Sequence, residues 1–392
     1  MTQTKTYYKV LILIACFVLS CTEPFNINSI DFEDALIIEA IITDEVKHQE
    51  IKLSRTFSLD EFTPSKENNA QVMISDENQN TYEFEETSSG VYTSKTEFGA
   101  TSNSTYTLTV ITNNGKTYKS QPTQLPNTVP INNLYASKEV SADTGIENIS
   151  IFIDGFEASG DSKYFRYEYE ETYEIVASSW VDGEFTISNS GQLSWNELCC
   201  RPIEKRVCYN TVVSDSIIQL KGENFTQGNS SPFLVRSLSI NNPIIRTRYS
   251  ILVKQYAQSL EAFTFYKILN KFSSSEDVFS QNQPGFFNGN LFSVDNSKEK
   301  VVGFFDISSV STERIFFNYS DFFPNEPAPP YFEDCTSYMI TDLNLLKEEV
   351  IAENVVYASA NSDPGGIPFV VSASCGDCTK LGSSSKPDFW ID

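Results

Sequence analysis

The sequence is poor in histidine and in basic residues. Its single histidine, His48, leaves no second imidazole for a histidine-based metal cage and no other residue of that type for catalysis. Lysine and arginine total 28 against 52 aspartates and glutamates, so the formal net charge at pH 7 is −24. Nucleic-acid binding depends on positive charge that releases counterions from phosphates. The composition therefore argues against a nucleic-acid partner.

Several motifs of known chemistry are also missing. The sequence has no glycine-rich phosphate loop, no G-x-S-x-G spacing, and no EF-hand ordering around Asp306 or Asp321. Ser383 and Lys386 fit the S-x-x-K spacing but lack the companion motifs of the penicillin-binding class. Carboxylates are too abundant for any pair to stand out as a glycosidase dyad. We therefore expect a non-enzymatic protein without catalytic residues, cofactor or resident metal, although weak calcium binding to surface carboxylates stays open.

The longest apolar run lies near the N terminus and is too short for a membrane-spanning helix. A basic segment precedes the run Val10–Leu19, and Ser20 and Cys21 follow it. This order is typical of a secretory signal, and the four residues ending at Cys21 resemble the bacterial lipobox, whose cysteine is acylated after cleavage. We predict a lipoprotein signal peptide over 1–20, lipidation of Cys21, and an acidic tether over 21–34. The alternative is an ordinary secretory signal with an incidental cysteine.

Short apolar segments separated by turn residues predict a mainly β fold. In the clearest hairpin pattern, alternating apolar residues are followed by a turn that contains Asn-Gly, for which we predict type I′ geometry; these residues are Tyr106, Leu108, Val110, Asn113, Asn114, Gly115 and Tyr118. Strands at this spacing indicate an immunoglobulin-like β-sandwich, which we place at 35–121.

A second, larger β-rich region with one or two short helices is expected over 131–392. The segment 122–130 is rich in proline and is interpreted as a stiff linker. Ser259 can cap a helix whose apolar residues fall on one face, and these are Ala262, Phe265, Tyr266, Leu269 and Phe272. A second helix is predicted near Leu343–Glu353.

Six cysteines besides Cys21 remain after removal of the signal, and all lie beyond the linker. An even number in an exported chain favours disulfides, but the sequence does not decide the pairing. Cys375 and Cys378 form a C-x-x-C motif, for which a redox dithiol and a zinc site are the alternatives to structural disulfides. The disulfide candidates are Cys199, Cys200, Cys208, Cys335, Cys375 and Cys378.

One loop combines aromatic residues with prolines and is the first candidate for a contact surface. Aromatic side chains dominate interface hot spots, and loops carry much of protein function. The predicted contact loop contains Phe322, Phe323, Pro324, Pro327, Pro329, Pro330, Tyr331 and Phe332.

Several passages, taken in order, resemble one family of Bacteroidota lipoproteins, domain of unknown function 4249. They include Leu36–Asp44, Tyr249–Tyr256, Val302–Phe305, Cys375–Cys378 and Lys386–Trp390. The family usually has glycine where Ala40 stands and tyrosine at Phe304 or Phe305. The resemblance implies a surface-exposed outer-membrane lipoprotein, often encoded beside a TonB-dependent receptor, with no assigned catalytic residues.

Together, the N-terminal signal and this resemblance lead to an expectation about function. We expect a lipid-anchored outer-membrane protein that faces the cell exterior and serves as an accessory subunit of an outer-membrane β-barrel, in the first place a TonB-dependent transporter. Other lipoproteins are further expected partners. The alternatives are an extracellular subunit of outer-membrane protein assembly or lipoprotein export machinery, and a free-standing glycan-binding module or hydrolase.

Overall fold

The computed structural model describes residues 34–57, 63–141, 143–154, 163–222, 232–273, 289–361 and 366–391. The signal peptide, Cys21 and nearly all of the tether lie outside the described residues. The predicted mainly β fold is confirmed. Among the described helices, none combines the length and apolar character needed to cross a bilayer.

Alternating apolar residues produce eight strands in the N-terminal region. They are β1 (Leu36–Thr43), β2 (Glu50–Arg55), β3 (Gln71–Asp76), β4 (Thr81–Ser88), β5 (Val91–Ser94), β6 (Thr105–Ile111), β7 (Thr117–Ser120) and β8 (Thr123–Gln124). Their inward residues, among them Ile38, Leu53, Ile74, Tyr92 and Leu108, are fully buried in one core cluster. This enclosed core agrees with the predicted β-sandwich.

The rest of the described chain adds thirteen strands and four α-helices. The strands are β9 (Asn133–Val140), β10 (Glu147–Asp154), β11 (Tyr164–Val176), β12 (Gly183–Ile187), β13 (Leu193–Cys200), β14 (Val207–Val213), β15 (Ile218–Lys221), β16 (Phe233–Ser239), β17 (Arg248–Gln258), β18 (Leu291–Ser293), β19 (Val301–Asn318), β20 (Val355–Ser359) and β21 (Phe369–Ser372). The helices are α1 (Leu260–Ser273), α2 (Tyr319–Phe322), α3 (Leu343–Ile351) and α4 (Ala373–Gly376).

A single sheet of fourteen strands passes through both regions. Its main path runs β14-β11-β17-β19-β1-β2-β5-β4-β3-β6-β7-β18, with β15 beside β11 and β8 beside β6. The order β16-β10-β9 forms a second sheet, and the pairs β12-β13 and β20-β21 are separate. The second sheet packs on the main one around a core that includes Ile149, Ile151, Tyr167, Tyr249 and Val253.

The long strand β19 joins the two regions. Its first half pairs in parallel with β1, from Leu36 opposite Val301 to Thr43 opposite Ser308. Its second half pairs antiparallel with β17. Because the first half of β19 pairs with β1, its residue Phe305 is buried in the core of the N-terminal strands. Residues far along the chain therefore complete the N-terminal unit.

A glycine permits this close pairing of β19 with β1. Gly303 has φ +126°, and a Cβ there would lie 2.0 Å from the carbonyl oxygen of Ile38. Residues with a side chain rarely adopt this backbone conformation, and the short distance to Ile38 O leaves no space for a Cβ. We therefore regard Gly303 as required for the register between the two strands.

The hairpin from β6 to β7 is present, but its turn differs from the prediction. Gly115 has φ +85°, whereas Asn114 does not have positive φ. The Gly115 N–H donates to Thr112 O at 2.8 Å, and the Thr112 N–H donates to Lys116 O at 3.0 Å. This is a three-residue loop in which a glycine follows a type I turn, so the predicted type I′ turn is wrong.

Both predicted helices are present. In α1, Ser259 Oγ accepts the Ala262 N–H at 3.0 Å, as a helix cap does. The apolar face of α1 packs on Phe304 of β19. In α3, the Asp342 carboxylate accepts backbone N–H groups of the first turn.

Candidate functional site

All six disulfide candidates are paired. Cys208 bonds to Cys378, Cys335 bonds to Cys375, and the neighbours Cys199 and Cys200 bond to each other. The first two crosslinks fasten the C-terminal segment to the rest of the second region. Nothing in the spacing of the six cysteines distinguished this pairing from the other possibilities.

The C-x-x-C motif does not form an internal disulfide. Cys375 lies in α4 and Cys378 begins the 3-10 turn that follows, and each sulfur is bonded to a cysteine outside the motif. Both are fully buried. This geometry matches structural disulfides and does not fit the redox-dithiol alternative. Within the described ranges, no group of three or more histidine, cysteine or acidic side chains could hold a metal ion.

The aromatic side chains of the predicted contact loop lie largely against the protein core. Phe323 is 2 % exposed and belongs to the core of the second region. Phe322, Tyr331 and Phe332 are half-buried against the same core. The rings fill space beside the main sheet, because apolar area is more stable when it is removed from water.

The loop is also fastened to its neighbours, and its exposed part includes several prolines. Arg246 donates to Pro329 O, and burial raises the pKa of Tyr331 to about 12. Pro324, Pro327 and Pro330 are exposed. The loop therefore presents mainly prolines and the small or polar residues between them to solvent, and its aromatic rings are only partly accessible.

A small lobe forms where the β12-β13 hairpin meets α3 and the β20-β21 hairpin. We call these five elements the small lobe. Leu346, Val355 and Val370 form its core, and Phe185 and Leu193 pack against them. This apolar cluster is separate from the core of the second region, so interactions other than apolar packing hold the small lobe to the rest of the protein.

Those interactions include a buried arginine. Arg201 directs its guanidinium at backbone carbonyls, with 2.8 Å to Tyr357 O and 3.2 Å to Gly376 O. Burial lowers the pKa of Arg201. Lys205 Nζ lies 2.9 Å from Asp377 Oδ2. Burial by itself raises the pKa of Asp377, but the hydrogen bonds from Thr379 and Lys205 lower it below its ordinary value. Together with the Cys208–Cys378 and Cys335–Cys375 disulfides, which fasten the segment that follows β21, these contacts fix the lobe's position.

The small lobe exposes large apolar side chains to solvent. Leu198 is 87 % exposed, and Leu343, Leu345 and Ile351 on α3 are also exposed. Leu198 protrudes because Cys200 pairs with Gly183 while Asn196 pairs with Glu184, so the residues between have no partner on β12. Isolated exposed leucines are ordinary, but several on the elements of one small lobe make the lobe a candidate interaction surface.

A buried ionic cluster lies on the sheet face beneath α1. The Arg166 guanidinium is bonded to Glu168 and lies 4.3 Å from the Tyr256 ring centroid. Asp306 accepts from Gln258 Nε2 at 2.7 Å, and burial raises its pKa despite the opposing charge of Arg166. Arg166 Nε and Nη2 and Asp306 Oδ1 have no hydrogen-bond partner among the described residues. The cluster leaves buried charge incompletely compensated at the junction of the two regions.

Sequence reasoning did not single out Leu198 or Arg166. The sequence contains one weak signal for Leu198, the adjacent cysteines that follow it. These two cysteines are bonded to each other in an irregular backbone, in which Cys200 has φ +103°. Arg166 stands in an alternating strand pattern in which charged residues occupy one face. Alternation identifies that face but does not show that α1 covers it.

Comparisons with known proteins yield one family match. A family model described as "Domain of unknown function (DUF4249)" matches residues 22–314. No curated protein sequence matches the chain.

Two solved structures are remotely similar to the chain. Trypsin-activated alpha-2-macroglobulin from Escherichia coli aligns at 6 % identity and a TM-score of 0.18, over 59 % of this chain and 15 % of that one. The Yersinia pseudotuberculosis adhesin InvE aligns at 12 % identity and a TM-score of 0.15, over 57 % of this chain and 55 % of that one. The chain thus spans less than two thirds of either structure, and neither alignment carries an argument.

Proposed function

The chain belongs to the family described as Domain of unknown function (DUF4249), and we propose that it is a lipid-anchored, non-enzymatic accessory subunit of an outer-membrane β-barrel complex. A TonB-dependent transporter is the first candidate for the barrel. In this proposal the protein is held by acylated Cys21 and faces the cell exterior.

The exposed apolar surface of the small lobe is the observation that carries the proposal. Leu198, Leu343 and Leu345 lie on a lobe that Arg201 and the two disulfides of the segment after β21 hold in place. A rigid surface loses little conformational freedom when a partner binds, so its apolar area contributes more fully to affinity. This surface suits a protein partner.

The predicted tether would place that partner in the plane of the membrane. Thirteen residues, 22–34, separate Cys21 from Ala35, which precedes β1, and fully extended they span at most about 45 Å. Two or three acyl chains would hold the protein durably, whereas its net charge of −24 disfavours lying flat on an anionic leaflet. The folded body would stand within reach of a barrel's outer face.

A pulldown after mild detergent extraction tests the proposal. The wild-type chain should retain a β-barrel protein, and Leu198→Asp with Leu345→Asp should reduce the retained barrel at least tenfold. Val46→Asp is the matched control, because Val46 is 75 % exposed but lies between β1 and β2, outside the small lobe. This control should keep the barrel.

The outcomes separate the parts of the proposal. A wild-type pulldown that returns no barrel refutes the accessory-subunit function. A barrel retained equally by the double variant refutes only the assignment to the small lobe. Recovery of assembly or export machinery in place of a transporter supports the alternative partner class.

A further inference from the structure

A large cavity lies at the seam between the N-terminal strands and the second region. Its volume is about 930 Å³, and it lies between the first turns of α1, strand β8 and the residues just before β18. Small-molecule sites commonly have volumes of about 300–1,000 Å³. The cavity is therefore large enough for a ligand of several rings, and both regions contribute to its walls.

The polar lining is almost entirely uncharged. The described lining residues contain side-chain amides and hydroxyls and one carboxylate, Glu261, and include no lysine, arginine or histidine. An anionic ligand would find no cation here, and the net charge of −24 would repel it at longer range. The lining therefore argues against an anionic ligand.

Some of these polar groups already serve the fold. Asn290 Oδ1 accepts the Phe305 N–H and Asn290 Nδ2 donates to Phe305 O, both at 2.8 Å. Ser259 Oγ caps α1. Thr264 Oγ1 donates to Leu260 O at 2.7 Å. These side chains shape the cavity, but their hydrogen-bonding capacity is largely used.

Other polar groups remain available to a ligand. Gln124 Nε2 donates to Thr105 Oγ1 at 3.2 Å, which leaves Gln124 Oε1 as an acceptor. The side chains of Gln121 and Glu261 are exposed and form no hydrogen bond within the described part of the chain. An amide can donate and accept at once, which matches a ligand hydroxyl that does both.

Apolar groups complete the lining. Phe265 of α1 and Phe304 of β19 lie with ring centroids 5.3 Å apart and form the inner wall. Leu260 and Pro122 are exposed at the rim. The exposed rim suits the C–H faces of saturated rings, and the nearly buried rings of Phe265 and Phe304 close the cavity beneath it. The amides suit hydroxyl groups at the ring edges.

We propose that the seam cavity binds a neutral oligosaccharide, through the Gln121 and Gln124 amides and the Glu261 carboxylate at its edge and through the apolar wall of Phe265 and Leu260. This inference is independent of the proposed barrel partner, because the cavity and the small lobe share no residue.

Isothermal titration of the purified, detergent-solubilised full chain tests the inference. The probes are three neutral trisaccharides, maltotriose, cellotriose and N-acetylated chitotriose, with anionic trigalacturonate as the charged comparison. We expect at least one neutral trisaccharide to bind and trigalacturonate not to bind. Gln121→Ala should weaken that binding about three- to tenfold, the effect of one neutral hydrogen bond.

A filling substitution locates the site. Thr264→Trp places an indole in the cavity and should weaken binding more than tenfold, whereas Lys267→Trp, on the same helix but outside the lining, should leave it unchanged. Thermal unfolding of both variants verifies that they fold. Failure of all three neutral probes, preference for trigalacturonate, or full affinity in Thr264→Trp would each overturn the inference.

Discussion

The three disulfides close loops of very different lengths, which predicts very different contributions to stability. The Cys208–Cys378 bond spans 170 residues of sequence, Cys335–Cys375 spans 40, and Cys199–Cys200 joins neighbours. The chain-entropy relation gives about 5 kcal/mol for the longest loop and about 4 kcal/mol for the intermediate one. The adjacent pair closes almost no loop, so its expected contribution is below about 1 kcal/mol.

Replacement of both cysteines of a pair by alanine removes each crosslink without leaving a free thiol. Cys208 and Cys378 are fully buried, so small apolar replacements keep the site dry. Urea unfolding of the oxidised proteins, followed by circular dichroism, measures the free energy of unfolding for each variant. We expect the largest loss for the pair Cys208 and Cys378, a somewhat smaller loss for Cys335 and Cys375, and almost none for Cys199 and Cys200.

The longest crosslink also fixes the C-terminal segment on the edge of the main sheet. Tyr209 N–H donates to Ser383 O at 2.8 Å, and Ser383 N–H donates to Tyr209 O at 2.9 Å. The Trp390 ring packs 5.0 Å from the Tyr209 ring. Without the bond, amide exchange around Ser383 should accelerate. A loss for Cys199 and Cys200 equal to that for Cys208 and Cys378 would refute the loop-length reasoning.

Two further predictions concern the junction. Gly303→Ala should destabilise the protein by more than about 2 kcal/mol in thermal unfolding, because the position has positive φ and a Cβ there would meet Ile38 O. Gly145→Ala is the control and should cost about 1 kcal/mol, because Gly145 also has positive φ but faces open space. Burial raises the pKa of Asp306 above its ordinary 3.8, so protonated Asp306 favours the folded state. The contribution of this carboxyl group to the free energy of unfolding therefore falls as the pH rises above about 4. Asp306→Asn should remove that loss, so parallel pH profiles of unfolding for the two proteins would contradict the assignment.

Local structure was predictable wherever one residue pattern determines it. The apolar stripe after Ser259 specified α1 because apolar residues that recur with a period of 3.6 share one face only in a helix. The alternation around Leu108 specified β6, but Asn-Gly did not specify the turn. Within this turn Gly115 has positive φ and the two asparagines do not, and the loop length that selects the turn type depends on where both strands end.

Long-range structure was not predictable from these patterns. Alternation in Leu36–Thr43 shows which face is buried, but it does not indicate that the partner is Val301–Ser308. The same limit applies to the predicted contact loop, because its composition does not reveal that Phe323 points into the core. Disulfide pairing is a third case, since it depends on which strands the fold brings together.

The continuity of β19 relates the two proposed surfaces. Its first half holds β1, which the predicted tether precedes, and its second half holds β17, which leads directly into α1 and the seam cavity. The main sheet continues from β17 through β11 to β14, where Cys208 fastens the segment that leads back to the small lobe. The main sheet therefore connects the start of β1 with the seam cavity, and the Cys208–Cys378 bond connects its edge with the segment after the small lobe. A ligand in the seam and a partner on the small lobe would thus be presented together, at a distance from the membrane that the tether alone adjusts.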